Sequence, residues 1–227
     1  MPRGSSRAAD RRCGNQINER DYLRRLADEA HDTADLLSSR RKAERERRTC
    51  AAFLRCLRVH FSPPELVSPE SDPLDVVFRD AHFEVMIMLD QGRKMHVDWK
   101  EKAARRDSAQ TLDELVESYR PSVPISVEET VRLVVAELDP KASYYGSKTC
   151  SHLDALVYVN YQGRHMYSLS EARVPGELRS QGWRSVCVLF PPYSHVLFAS
   201  PPAPELLRHL KGSIRQECNN PDVWFDL

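Results

Sequence analysis

Two carboxylates, Asp75 and Glu84, stand in a stretch that reads as a β-hairpin, Pro73 to Asp90, Pro-Leu-Asp-Val-Val-Phe-Arg-Asp-Ala-His-Phe-Glu-Val-Met-Ile-Met-Leu-Asp. Val76 to Arg79 and His82 to Leu89 are β-branched or large apolar runs interrupted by Asp80-Ala81. A two-residue turn there pairs Arg79 with His82 and Phe78 with Phe83. Continuing that register sets Val77 against Glu84 and Asp75 against Met86. Side chains alternate with period two, so Asp75, Val77, His82, Glu84, Met86 and Met88 share one face. Diagonal neighbours on adjacent strands lie roughly 7 to 8 Å apart, close enough for both acids to reach one cation. A hard ion such as Mg²⁺ fits, since it keeps several waters and uses one or two protein carboxylates plus substrate phosphate. The competing reading is a solvated acidic face.

A third acid comes from the first helical region. Between Glu19 and His60 there is no Gly or Pro, and apolar or small residues recur at Leu23, Leu26, Ala30, Ala34 and Leu37, then Ala51, Leu54 and Leu57. This spacing predicts one long helix or two abutting helices with a break at Ser38-Ser39. Glu44, seven residues after Leu37 and seven before Ala51, falls on the apolar stripe, while Glu46 sits about 200° away and is expected in solvent. Glu44 is therefore either a carboxylate aimed at a cleft or the ion-pair partner of Arg41 or Arg48. The run Arg40 to Arg48 is a solvated helix face or a phosphate-contacting surface, because Arg bonds phosphate oxygens bidentately. Formal net charge is zero over the chain, yet residues 1–58 carry 15 basic and 9 acidic residues.

The elements that must position these groups follow from the punctuation. Residues 1–18 are polar with almost no apolar residue and predict a disordered tail. A Pro-rich loop with Pro63, Pro64, Pro69 and Pro73 leads into the hairpin, and Trp99 to Arg106 reads as a polar helix. Thr111 with Glu114 and Ser126 with Glu129 are capping boxes that announce further helices. The second carries Val127, Val131, Val134, Val135 and Leu138 and is expected to stop near Pro140, followed by a linker from Tyr144 to Lys148. Asp154 to Asn160 is a continuous apolar strand, suited to a sheet centre covered on both faces. Gln162-Gly163 turns it toward a strand over His165 to Leu169. Arg184 to Phe190 and His195 to Ala199 form a final hairpin across Pro191-Pro192, and a short helix from about Pro204 to Leu210 closes the domain.

The longest uninterrupted apolar run, Val85 to Leu89, is far too short for a membrane span, and no apolar core follows the N-terminal arginines, so a cytoplasmic protein is expected. Six cysteines without a C-x-x-C pair make zinc unexpected. The sequence holds no Walker loop, G-x-G-x-x-G, G-x-S-x-G or H-E-x-x-H motif, so nucleophilic catalysis by Ser or Cys has no support.

The order of helix, acid-bearing hairpin, helices and buried strand resembles the restriction-endonuclease-like, PD-(D/E)xK fold. Arg41-Lys42-Ala43-Glu44-Arg45-Glu46-Arg47, the hairpin from Pro73 to Arg93, and Gln181-Gly182-Trp183-Arg184-Ser185 are similar to a bacterial family of unknown function described as endonucleases. The likeness spans roughly residues 20–211. It implies that Asp75 is the acid of the "PD" element, spaced here as Pro-Leu-Asp, that Glu84 is the second acid, and that Glu44 is the first-helix glutamate. Where the motif wants Lys, two residues after Glu84, this chain has Met86. Lys42, Lys94 and Lys100 are candidates for a migrated lysine, with Lys94, beside Arg93, the preferred one.

The expectation is a single α/β domain over residues 19–212, a restriction-endonuclease-like mixed sheet flanked by helices, with a disordered tail before it and an extension over 213–227. The expected activity is metal-dependent phosphodiester cleavage. Asp75, Glu84 and Glu44 hold Mg²⁺ or Mn²⁺, and Asp75, Glu84 and Lys94 do the chemistry. Arg41, Arg45, Arg48, Arg93 and Lys94 contact nucleic acid, DNA ahead of RNA, through its phosphates. The alternatives are a non-catalytic nucleic-acid-binding relative, and a protein-interaction module anchored by Val223-Trp224-Phe225.

Overall fold

The computed structural model describes residues 18–70, 72–118, 121–166 and 181–216. The tail expected over residues 1–18, apart from Asn18, and the Val223-Trp224-Phe225 segment lie outside the described residues.

The long N-terminal helical stretch is two helices, α1 (Glu19–Leu36) and α2 (Lys42–Cys56), separated by a 3₁₀ turn at Ser39–Arg41. Asn18 caps α1 by accepting from the Arg20 N–H at 3.1 Å. After β1 (Leu66–Val67) come β2 (Val76–Phe78), β3 (Ala81–Leu89) and α3 (Met95–Ser108). The Thr111–Glu114 box yields only a 3₁₀ turn, Leu112–Leu115. β4 (Val123–Ile125) precedes α4 (Val127–Cys150), which Ser126 caps from the Glu129 N–H. The remaining elements are β5 (Asp154–Asn160), β6 (Arg164–Met166), β7 (Ser185–Phe190), β8 (Tyr193–Ala199), α5 (Glu205–His209) and β9 (Ile214–Gln216).

Seven strands form one mixed sheet in the order β1-β2-β3-β5-β7-β8-β9, with β3, β5 and β7 mutually parallel and the outer pairs antiparallel. Alternation sorts the side chains of the parallel strands. Phe83, Val85, Leu156, Cys187 and Leu189 pack with Cys50, Phe53 and Leu54 of α2 and Leu207 of α5. Met86, Met88, Ala155, Val157, Val186 and Val188 pack with Val131, Val134 and Leu138 of α4. The result is a three-layer α/β/α domain whose central strand, β5, is buried on both faces as its unbroken apolar run required. α1 packs chiefly against α3. Among the described residues no helix is long and apolar enough to cross a membrane.

Several expectations are corrected. α4 does not stop at Pro140 but continues to Cys150, with a non-helical Gly146 (φ 75°, ψ 157°) inside it. A proline removes one backbone bond, and burial of Leu138 and Ala142 on either side keeps the helix seated. β6 does not pair with β5; it joins β4 in a separate two-stranded parallel sheet, and residues 167–169 of the expected strand lie outside the described residues. β9 pairs with β8, so the sheet continues past residue 212.

Candidate active site

The hairpin turns at Arg79-Asp80, one residue earlier than the sequence suggested, with Arg79 at φ 55°. Phe78 pairs with Ala81, Val77 with His82 and Val76 with Phe83. This shifts the expected register by two residues, so strand parity is retained. Asp75, just before β2, donates its N–H to Phe83 O at 3.1 Å, and its Oδ2 accepts the Val85 N–H at 2.9 Å. Asp75 and Glu84 are thus neighbours, and both are buried.

The two helical layers close on this pair from opposite sides. From α2, Lys42 Nζ donates to Asp75 Oδ1 at 2.8 Å and lies 3.1 Å from Glu46 Oε1. From α4, Lys141 Nζ donates to Glu84 Oε1, which also accepts from the Tyr145 hydroxyl at 3.1 Å. Three carboxylates are gathered with two ammonium groups at the β2–β3 side of the sheet.

Their protonation reflects a shortage of positive charge. Burial, and then the charge of Asp75, lift Glu46 to about 7, against the partial relief of Lys42. Glu84 is raised for the same two reasons, burial and Asp75, with Lys141 and Tyr145 pulling the other way. Burial alone would lower Lys42, but its bonds to Asp75 and Glu46 more than offset that and raise it.

Glu44, expected to join the acids, does not. Arg41 Nε donates to its Oε2 at 2.7 Å and Arg48 Nη2 to its Oε1 at 2.7 Å, and these partners hold its pKa down despite partial burial. The α1 stripe cannot be extended into α2, because the 3₁₀ turn at Ser39–Arg41 resets the helical phase. Within α2 itself, Glu46, Thr49, Cys50 and Phe53 are buried at helical spacing, so Glu46 occupies the inward face that the sequence reading gave to Glu44.

Lys94 is likewise outside the cluster. It is the exposed residue that precedes α3, beyond the C-terminal end of β3. Glu84 lies five residues before that end, roughly 16 Å of extended strand away. The missed lysine is Lys141. Its signal was present in the Lys-x-x-x-Tyr spacing of Lys141 and Tyr145, one helical turn apart, but the expected stop at Pro140 hid it.

Of the expected phosphate-contacting residues, Arg45, Arg48 and Arg93 line one cavity on the α2 side of the sheet, and Arg41 and Lys94 do not. Arg41 bonds Asp35 and Glu44, Arg48 bonds Glu44, and Arg45 Nη1 donates to the carbonyls of Leu37 and Ser38. Arg93 bonds Asp98 at 2.7 Å and Asn160 O at 2.7 Å.

The Gly-Trp-Arg-Ser segment buttresses the cluster. Gly182 (φ 82°) lies where a Cβ would come 3.1 Å from Ser147, so α4 and this loop approach as only glycine allows. Trp183, almost fully buried, sets its ring edge-on to Tyr145 with centroids 6.3 Å apart. Arg184 and Ser185 both clasp Asp154, with Arg184 Nε at 3.1 Å and Ser185 Oγ at 2.7 Å.

The donor set suits a hard cation: carboxylate oxygens only, with Glu46 and Glu84 both raised by burial and by the charge of Asp75. Among the described residues, however, no three His, Cys, Asp or Glu side chains are already arranged around one point. The carboxylates are drawn instead onto Lys42 and Lys141.

Residues 18–219 match a family described as "Putative endonuclease, protein of unknown function (DUF1780)". A solved structure from Pseudomonas aeruginosa strain PAO1, described as a protein of unknown function, PA4535, of the monooxygenase superfamily, is 30% identical. The match covers 92% of this chain and 99% of that one, with a TM-score of 0.64. Comparison with curated proteins finds no match.

Proposed function

The chain belongs to the DUF1780 family, and from that premise we propose that it is a metal-dependent endonuclease of the PD-(D/E)xK type, cleaving phosphodiester bonds of nucleic acid at the Asp75–Glu84 cluster. The observation that carries this reading is the gathering of the buried Asp75, Glu84 and Glu46 with a lysine on each side, Lys42 on Asp75 and Glu46 and Lys141 on Glu84. The strand arrangement is compatible with it: an acid-bearing antiparallel hairpin, then a helix, then a strand parallel to the second hairpin strand. The PA4535 description names a different chemistry, and it is a description of that protein.

Asp75 and Glu84 would hold Mg²⁺ or Mn²⁺, which when bound supplies charge neutralisation at the phosphate. Glu46, near half-ionised at neutral pH, is suited to accept the proton of the attacking water. Lys141 replaces the motif lysine that Met86 displaces on the strand. Its ammonium, already on Glu84, is placed to offset the negative charge that develops on the phosphoryl oxygens. Tyr145 fixes the orientation of Glu84. Arg41, Arg45, Arg48, Arg93 and Lys94 remain proposed phosphate contacts.

The test uses purified full-length chain with single- and double-stranded DNA and RNA, in Mg²⁺, Mn²⁺ or EDTA. Cutting is expected with either metal and not in EDTA, and Asp75→Asn, which keeps the shape and removes the charge, is expected to abolish it without moving the thermal transition. Binding without cutting would replace the nuclease with a non-catalytic relative. Neither cutting nor binding would favour an interaction module.

A further inference from the structure

On the α2 side of the sheet, at the C-terminal ends of β3, β5 and β7, lies a cavity of about 1710 Å³ walled by α1, α2 and α3. It is larger than the roughly 300–1000 Å³ of common small-molecule sites. The crevice beyond the carboxyl ends of parallel strands is where open α/β sheets ordinarily bind ligands. No residue of the Asp75–Glu84–Glu46 cluster, nor Lys42, Lys141 or Tyr145, lines it.

Its walls carry eight Arg or Lys and three Asp or Glu. Among the described residues, Arg45, Arg55, Lys102 and Arg164 have no carboxylate bound. Arg45 gives its Nη1 to two carbonyls and keeps a buried Nε without any partner. Burial, and then the neighbouring Arg106, lower Lys102 by more than Glu117 raises it, so an added anion beside it would be favoured. Aromatic surface is interleaved with this charge: Lys102 Nζ stands 4.4 Å from the Trp99 ring centroid, and the Arg164 guanidinium 5.1 Å from that of Tyr161. Guanidinium forks without a carboxylate partner take phosphate, and ring faces take a base. Neither feature alone selects a ligand, but together they select one that is both anionic and aromatic.

We propose that this cavity binds a nucleotide unit, its phosphate on Arg45, Arg55 and Lys102 and its base against the Trp99 and Tyr161 rings. The unit is either a free nucleotide or one nucleotide of a single strand. The cavity contains none of the acids of the proposed nuclease centre, but it shares with that reading the phosphate contacts Arg45, Arg48 and Arg93.

Isothermal titration of the full chain in EDTA, so that no cutting occurs, with ADP, a short single-stranded oligodeoxyadenylate and inorganic phosphate decides the matter. At least one nucleotide probe is expected to bind. Arg55→Glu combined with Lys102→Glu is expected to weaken it by about tenfold or more, through loss of charged hydrogen bonds. Glu128→Gln, exposed in the first turn of α4, is expected to leave it unchanged. Binding of ADP assigns the unit to a free nucleotide; binding of the oligonucleotide alone assigns it to a strand. Should the double variant lose its thermal transition, Arg55→Gln alone serves the same test. The proposal is overturned by silence of both nucleotide probes, by inorganic phosphate binding as tightly as ADP, or by unchanged binding in a folded variant.

Discussion

Lys141 of α4 donates to Glu84 of β3, so the ammonium that a strand-borne motif would supply two residues along β3 arrives from the opposite helical layer. Met86, at that motif position, is left free to pack into the α4-side core. Substituting Lys141→Met is expected to lower cutting by about 10²-fold, as removal of one transition-state charge donor does, while nucleic-acid binding persists. Lys141→Arg should restore part of the loss. Cleavage by Lys141→Met at the parental rate would assign the lysine to structure alone.

Glu46 gives the site a pH dependence with a definite sign. Burial, and then the charge of Asp75, push its carboxyl up to about 7 from an ordinary 4.5. Being raised, it contributes stability that is fully present below 4.5 and is lost as pH rises through about 7. Glu46→Gln should therefore be more stable than the parent at pH 8, on the order of 1 to 3 kcal/mol, and equal to it at pH 4. Thermal unfolding at the two pH values measures this. A variant less stable than the parent at pH 8 contradicts the buried charge.

A cation relieves the same repulsion. Mg²⁺ or Mn²⁺ held by Asp75 and Glu84 is expected to raise the unfolding temperature of the parent more at pH 8 than at pH 6, because an ionised Glu46 beside the site favours the cation. In Glu46→Gln the increment should become independent of pH over that range. The absence of any shift with either metal at pH 8 would remove the metal from the proposed chemistry.

The two glutamates of α2 separate cleanly. Glu44→Gln breaks only half-exposed pairs with Arg41 and Arg48, and should cost no more than about 1 kcal/mol, with cutting and metal response unchanged. Loss of cutting in Glu44→Gln would reinstate the residue that the helical break displaced.

Asp154 is a structural acid, fully buried and bonded by Arg184, Ser185 and the His82 N–H at 2.8 Å. Asp154→Ala leaves the Arg184 charge without its partner and should destabilise the fold by about 3 to 5 kcal/mol. Denaturant unfolding that shows less than 1 kcal/mol, on the order of a surface pair, would contradict this clasp.

How far the sequence could be read depended on the range of the signal. The hairpin, β5, the β7–β8 pair and the capped start of α4 were legible because alternation, apolar runs and capping boxes are local. Asp75 and Glu84 came with them, since a two-residue error of register preserves which side each strand residue faces. Glu46 was lost to a phase carried across the Ser39–Arg41 turn, where local rules cannot say how far one helix rotates against the next. Lys141 and Tyr145 were lost because Pro140 is a strong local stop signal that the packing of Leu138 and Ala142 overrides. Sequence proximity favours Lys94, yet β3 carries that part of the chain away from the acids.

The order of the seven strands has a consequence for how the protein behaves in a crowd. Among the described residues, one rim of the sheet is β1, of two residues, whereas the interior strands β3 and β5 have nine and seven. A stray extended peptide docking at that rim finds few backbone groups to join, too few for the long, in-register addition that seeds aggregation. The sticky, Val- and Leu-rich strands sit at the centre, and the short outer one acts as a bumper.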